Sequence, residues 1–101
     1  MAYYAVVGVT PKSEEWIPNY LAAVGPLVAK HGGKYLARTM SHERVEGSGE
    51  DPALMVILEF PSKEAALAFY GDPEYQPHLQ SRLAGAENTL TLVEGKDDFA
   101  G

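Results

Sequence analysis

The sequence of 101 residues contains no cysteine, which excludes disulfide bonds, thiolate zinc sites and cysteine nucleophiles. Basic residues are also few: eight lysines and arginines stand against fourteen acidic residues, and they form no run along the chain. A nucleic-acid-binding protein needs a cationic surface, so this balance argues against that class. No apolar run approaches the roughly 20 residues of a membrane-spanning helix, and the first residues lack the pattern of a signal peptide. We therefore expect a cytoplasmic protein that binds neither nucleic acid nor membrane.

Motifs for metals and cofactors are lacking too. The three histidines, His31, His42 and His78, fall on different predicted segments, and no two have the spacing of metal ligands on one element. No glycine pattern matches a phosphate-binding loop, and no serine lies in a nucleophile elbow. Neither helical histidine is clearly placed as an axial haem ligand. We therefore expect no metal and no cofactor.

The apolar fraction of 46% is sufficient for one compact domain. Short apolar runs predict four strands, and apolar residues three and four positions apart predict helices between them. The predicted order is strand 3–9, helix 17–31, strand 34–40, strand 54–60, helical region 62–85 and strand 87–93. Gly71 is expected to interrupt the second helical region, with Asp72 and Pro73 starting a new helix. The domain is assigned to residues 1–95, followed by a polar tail at 96–101.

The order β-α-β-β-α-β predicts an α+β fold of the ferredoxin-like type. The handedness rule for crossover connections then gives an antiparallel four-stranded sheet with the helices on one face. Every predicted strand carries apolar residues on both sides, so the second sheet face of a monomer would be exposed to water. We therefore predict a homodimer in which two copies pack sheet against sheet.

Candidate site residues are the charged side chains within otherwise apolar segments. His78 and Arg82 lie four residues apart on a predicted helix and so share a face. Arg82 either binds a ligand carboxylate or forms a salt bridge with an acidic residue of a strand. His78 either transfers a proton near neutral pH or lies on the surface.

The second and third strands carry further polar candidates. Strict alternation places Tyr35 on one face of the sheet and Arg38 on the other. Glu59 is the charged residue of the third strand, and a symmetric hairpin brings it close to Lys34 or Tyr35. There it either forms a structural ion pair or becomes neutral and acts as a general acid or base. Trp16, at the start of the first helix, is expected to be a lid or an interface contact.

The chain resembles the family known as domain of unknown function 1330. The resemblance rests on residues 31–38 (HGGKYLAR), 57–62 (ILEFPS) and 72–76 (DPEYQ), with further matches at 65–66, 69–70, 82 and 93–95. It extends over nearly the whole chain in order and implies the dimeric α+β barrel superfamily. That superfamily also contains cofactor-free monooxygenases, lactone isomerases and haem enzymes, and the resemblance implies no established activity.

Three functions follow as hypotheses. The first is a homodimeric domain that binds a small organic ligand, anionic or aromatic, between helices and sheet, with Arg82, Tyr35, Arg38 and Glu59 as its polar contacts. The second is a cofactor-independent monooxygenase or isomerase, with His78 or Glu59 transferring the proton. The third is a structural or regulatory dimer without a ligand, which predicts a cleft filled by side chains.

Overall fold

The computed structural model describes residues 1–100, which form four strands and three helices. The elements are β1 (Tyr3–Pro11), α1 (Ile17–Lys30), β2 (Lys34–Thr39), β3 (Leu54–Phe60), α2 (Lys63–Tyr70), α3 (Gln76–Gly85) and β4 (Ala86–Glu94). The strands form one antiparallel sheet in the order β2-β3-β1-β4. The predicted α+β fold of the ferredoxin-like type is confirmed, and the second helical region consists of two helices.

Local signals in the sequence account for the helix ends. Helix α1 begins at Ile17, as predicted, with Pro18 in its first turn, where the missing N–H costs no hydrogen bond. It ends at Lys30, and Gly32, two residues later, turns the chain away with a φ of +77°, a left-handed conformation that glycine adopts without strain. Helix α2 follows Ser62, whose Oγ accepts a hydrogen bond from the N–H of Ala65.

Helix α3 begins later than the sequence predicts. Asp72 was expected to cap it, but residues 72–75 form a turn in which the N–H of Tyr75 donates to the Asp72 carbonyl at 2.9 Å. The Asp72 carboxylate accepts from the N–H of Glu74, also at 2.9 Å, and so closes this turn. The helix therefore starts at Gln76, with Pro77 in its first turn.

Asp72 also fastens this turn to the end of α1. Its Oδ2 lies 2.9 Å from Lys30 Nζ and 2.7 Å from His31 Nε2, and its side chain is buried. Hydrogen bonds from His31 and Lys30 hold the pKa of Asp72 well below its usual range. Because α3 follows the turn directly, these contacts fix where α3 lies on the sheet.

A β-bulge in β2 changes the face of one candidate residue. Tyr35 pairs with Leu58 of β3, whereas Ala37 pairs with Ile57, so Leu36 has no partner of its own. Arg38 consequently pairs with Val56, on the same face as Leu58. The prediction that Tyr35 and Arg38 lie on opposite faces is wrong, because one inserted residue reverses the alternation beyond it.

The two faces of the sheet differ in their cover. Helices α1, α2 and α3 pack on one face, where they enclose the core: Ala5, Val7, Val9, Val24, Leu27, Val28, Val56, Leu58, Phe60, Ala66, Phe69, Tyr75, Leu79 and Ala86. The other face carries Val6, Ile57 and Val93, and the last two are 36% and 45% exposed. Among residues 1–100, no helix has the length and apolarity that a bilayer crossing requires.

Candidate functional site

A pocket lies on the helix-covered side of the sheet, between the strands and helices α1 and α3. Its floor includes Val7 and Val56, and Tyr20 of α1 and Arg82 of α3 contribute to its walls. The remaining walls are largely apolar, and the enclosed volume is about 100 Å³. We call this cavity the Arg82 pocket, because its most unusual wall residue is a buried guanidinium.

Arg82 is a buried cation whose protein partners are neutral. Its side chain is 3% exposed, and its Nε donates to the hydroxyl of Tyr20 at 3.1 Å. Its Nη2 lies 3.5 Å from the hydroxyl of Tyr75. Among residues 1–100 no carboxylate forms a salt bridge with it, so the alternative of a strand acid as partner does not apply there. A guanidinium remains protonated in proteins, so the pocket holds a positive charge without a counter-ion in this part of the chain.

The two phenols beside Arg82 form a pair of their own. The hydroxyls of Tyr20 and Tyr75 are 2.6 Å apart, so one donates to the other. Burial, together with the neighbouring Tyr75, raises the pKa of Tyr20, so this phenol is neutral at physiological pH. Only one of the two hydroxyl protons is used within the pair, and within residues 1–100 the other has no acceptor. The two contacts with the tyrosine hydroxyls use at most two of the five guanidinium N–H groups, so the cluster has further N–H groups and one phenol O–H for an incoming acceptor.

The β-bulge brings a second arginine to the same pocket. The Arg38 guanidinium carbon lies 4.0 Å from the centre of the Tyr35 ring, a cation–π contact, and both residues line the Arg82 pocket. Burial raises the pKa of the Tyr35 phenol, which therefore stays neutral. Of the described residues that line the pocket, two are arginines and none is acidic or a histidine. A chain with a net charge of −6 thus concentrates positive charge around one small cavity.

Trp16 forms part of the pocket wall and is held by backbone carbonyls. Its Nε1 donates to the carbonyls of Ser13 and Gly85 at 3.0 and 3.2 Å, and its ring packs edge-on against Tyr20 at 5.5 Å. Gly85 is required for this arrangement, since a Cβ there would lie 2.3 Å from the indole nitrogen. Trp16 is the single tryptophan of the chain, so its fluorescence reports on this pocket.

Two predicted site residues lie outside the Arg82 pocket. Glu59 pairs with Tyr4 and Lys34 on the opposite face of the sheet, and its carboxylate lies 3.5 Å from Lys34 Nζ. The structure therefore places Glu59 in the expected ion pair and not with the other predicted ligand contacts. His78 lies in a shallow surface depression with Lys30 and Glu74. It is partly buried and does not line the Arg82 pocket, although it lies one helical turn before Arg82.

The structure thus brings together Arg82, Tyr35 and Arg38 of the predicted set and adds Tyr20 and Tyr75. The sequence does indicate Tyr75 as a neighbour of Arg82, because it lies seven residues earlier and thus on the same face of the predicted helix. Tyr20 is on the apolar stripe of α1, but nothing in the sequence indicates that it meets α3. Within residues 1–100, no group of three or more His, Asp or Glu side chains comes together as a metal site.

Comparison with known proteins identifies the family. The model of a family described as "domain of unknown function (DUF1330)" matches residues 2–96. The chain belongs to this family. The resemblance of the sequence motifs is thereby confirmed, and no curated protein matches this DUF1330 chain.

Solved structures similar to this DUF1330 chain share its fold. The RPA0582 protein of unknown function from Rhodopseudomonas palustris is 19% identical, with a TM-score of 0.77, over 95% of this chain and 83% of that one. A dimeric ferredoxin-like protein of unknown function from Jannaschia sp. CCS1 is 17% identical, with a TM-score of 0.73, over 93% and 99%. SnoaB, a cofactor-independent oxygenase from Streptomyces nogalater, is 16% identical, with a TM-score of 0.68, over 99% and 98%. At these identities the likeness concerns the fold.

Proposed function

We propose that this DUF1330 chain is a homodimeric domain that binds a small organic anion in the Arg82 pocket. The observation that carries the proposal is the burial of Arg82 without a carboxylate partner among residues 1–100. Removing a guanidinium from water costs several kcal/mol, and two neutral phenols compensate only part of that cost. An anionic ligand would supply the missing charge.

The chemistry of the pocket favours an oxyanion on an apolar body. A carboxylate or phenolate oxygen is matched by the Arg82 N–H groups and by one hydroxyl of the Tyr20–Tyr75 pair. The rings of Trp16 and Tyr35 and the aliphatic floor suit an apolar or aromatic remainder. Arg38, stacked on Tyr35, adds attraction for the same negative charge.

A second copy of the chain is proposed to cover the open sheet face. Val6, Ile57 and Val93 leave apolar surface on the side away from the helices, and water contact there is unfavourable. The Jannaschia protein of the same fold is described as dimeric, which supports the proposal without extending its interface to this chain. An open cavity with a cation in its wall favours ligand binding over a purely structural dimer.

The binding proposal is tested by titrating aromatic and aliphatic carboxylates while Trp16 fluorescence and the melting temperature are recorded. We expect saturable binding by the parent protein and its loss in Arg82→Met. Arg82→Lys keeps the charge but not the planar fork, so we expect intermediate affinity. If Arg82→Met binds every hit as tightly as the parent does, the anion does not lie at Arg82 and the proposal is wrong.

An enzyme of the cofactor-independent oxygenase or isomerase kind is the second candidate. A buried cation stabilises an enolate or phenolate formed from a substrate as well as it stabilises a carboxylate, and SnoaB has the same fold. The described pocket residues include no carboxylate or histidine, so the substrate itself must ionise readily near Arg82. Oxygen uptake with acidic phenols, compared between the parent and Arg82→Met, tests this candidate. Uptake equal to that of the buffer would contradict an oxygenase.

A further inference from the structure

A second cavity lies on the same face of the sheet, beneath helix α2. We call it the α2 cavity. It is bounded by Ala5 and Leu92 of the strands and by Ala66 and Leu67 of the helix, and it encloses about 270 Å³. Its lining is apolar, and the only polar side-chain atom among the described lining residues is the hydroxyl of Tyr70. A cavity of this composition provides no partner for a charged group.

The α2 cavity adjoins the Arg82 pocket. Leu58, Phe69 and Leu90 line both cavities, so the same side chains form the boundary between them. The floor continues along β3 from Leu54 in the Arg82 pocket to Phe60 in the α2 cavity, a distance of roughly 20 Å for six residue steps. Leu90 is 36% exposed, so the boundary is not fully packed at β4.

Each cavity alone is smaller than a usual ligand site. The Arg82 pocket holds about 100 Å³, which is less than the roughly 150 Å³ of a cavity that accommodates benzene. It has room for an acid group and for only part of an apolar remainder. Together with the 270 Å³ of the α2 cavity, the space falls within the range of about 300–1,000 Å³ that is usual for ligand sites.

We propose that the Arg82 pocket and the α2 cavity form one elongated site for an amphiphilic acid. Its oxyanion lies at Arg82, and its uncharged apolar chain passes Leu58, Phe69 and Leu90 to lie beneath α2. This inference rests on the proposed function, which places the anion, and it adds the class of ligand. Polyanions and short hydrophilic acids are poor ligands, because they leave the α2 cavity without an apolar occupant or bring charge into it.

The test compares unbranched carboxylic acids of four, eight and ten carbons by calorimetry and by Trp16 fluorescence. We expect affinity to rise by up to about fourfold for each added methylene, which corresponds to the transfer of one methylene out of water. Ala66→Leu fills part of the α2 cavity from its roof. We expect it to keep the affinity for the four-carbon acid and to lower that for the ten-carbon acid at least tenfold.

The control is Ala68→Leu, the same change on the exposed side of the same helix, which should bind all three acids as the parent does. Leu92→Phe, which narrows the α2 cavity from the floor, replaces Ala66→Leu if that variant does not fold. Affinity that is independent of chain length, or an equal loss for short and long acids in the filled variant, would overturn the elongated site while leaving an anion site at Arg82. If none of the three acids binds, the elongated site is overturned as well, whereas normal binding of all of them by Arg82→Met would contradict the proposed function itself.

Discussion

Replacing Arg82 by methionine should show separately how the buried charge affects the stability of the fold and how it affects anion binding. Arg82 is 3% exposed, and methionine fills a similar volume without a charge. We expect the ligand-free variant to be as stable as the parent, or more stable by up to about 2 kcal/mol, although it has lost a buried residue with two hydrogen bonds. Binding of organic anions should fall at the same time.

The magnitude follows from the surroundings of the guanidinium. Burial of one ion costs several kcal/mol, whereas hydrogen bonds from a charged donor contribute about 1.5–3 kcal/mol each. One of the two hydrogen bonds of Arg82 is long, with 3.5 Å between Nη2 and the Tyr75 hydroxyl. The two hydrogen bonds together therefore contribute no more than burial of the guanidinium costs. After the substitution Tyr20 and Tyr75 still bond to each other, so each hydroxyl keeps one hydrogen bond. Breaking a true buried ion pair would instead cost about 3–5 kcal/mol.

Two measurements decide the matter. Urea unfolding of the ligand-free proteins gives the free energy of unfolding, and calorimetry with the best carboxylate gives the affinity. Loss of a close charge partner in a buried site weakens binding by about 2–5 kcal/mol, which is at least thirtyfold. A variant that is destabilised by 3 kcal/mol or more and still binds anions normally would show that Arg82 is structural, and the reasoning would be refuted.

Three further substitutions test the fold around the site. Gly85→Ala should displace Trp16, lower stability by about 1–3 kcal/mol and shift the indole emission; the control Gly25→Ala, in helix α1 with no atom within 4 Å of its Cβ, should stabilise by about 0.4–1 kcal/mol. Ile57→Glu places a charge on the open sheet face and should convert the proposed dimer to monomers in light scattering; an unchanged mass would contradict that interface. Asp72→Asn should lower stability at neutral pH. Because the folded-state pKa of Asp72 lies well below its ordinary value of 3.8, the parent has this stability in full above that value and loses it progressively as the pH falls toward the folded-state pKa. The difference between the urea curves of the two proteins should therefore be largest at neutral pH and should shrink steadily below pH 3.8.

Most of the fold could be predicted because hydrophobic pattern and turn residues act locally. The continuous apolar run at Leu54–Phe60 identified a strand, and Pro18 and Gly32 marked the two ends of α1. The start of α3 was predicted wrongly because Asp-Pro sequences suit both a helix start and a turn. Tertiary contacts select the turn: Lys30 and His31, more than 40 positions away in sequence, contact the Asp72 carboxylate.

The site was predicted only in part, for the same physical reason. Arg82 stood out as a charge on an otherwise apolar helical face. Of its two phenol partners, Tyr75 lies on the same predicted helix face, whereas Tyr20 could not be inferred, because it meets α3 only through the packing of α1. Tyr35 and Arg38 were predicted to lie on opposite faces of the sheet. The prediction was wrong because nothing in the local sequence marks the bulge at Leu36. Glu59 followed the alternation rule and therefore lies on the far side of the sheet with Lys34.

Both departures from local rules bring cations toward the same pocket. The bulge at Leu36 turns Arg38 onto the helix-covered face, and the turn at Asp72 sets the position of α3 and thus of Arg82. Neither feature improves the packing of an apolar core, because one buries the charge of Arg82 and the other places Arg38, which remains exposed, at the rim of the pocket. A fold selected for stability alone would keep strict alternation in β2 and an aliphatic residue at position 82. The coincidence of two such features at one cavity is what an anion-binding site requires, since a preorganised positive charge in low dielectric binds an oxyanion far more strongly than a solvated arginine does.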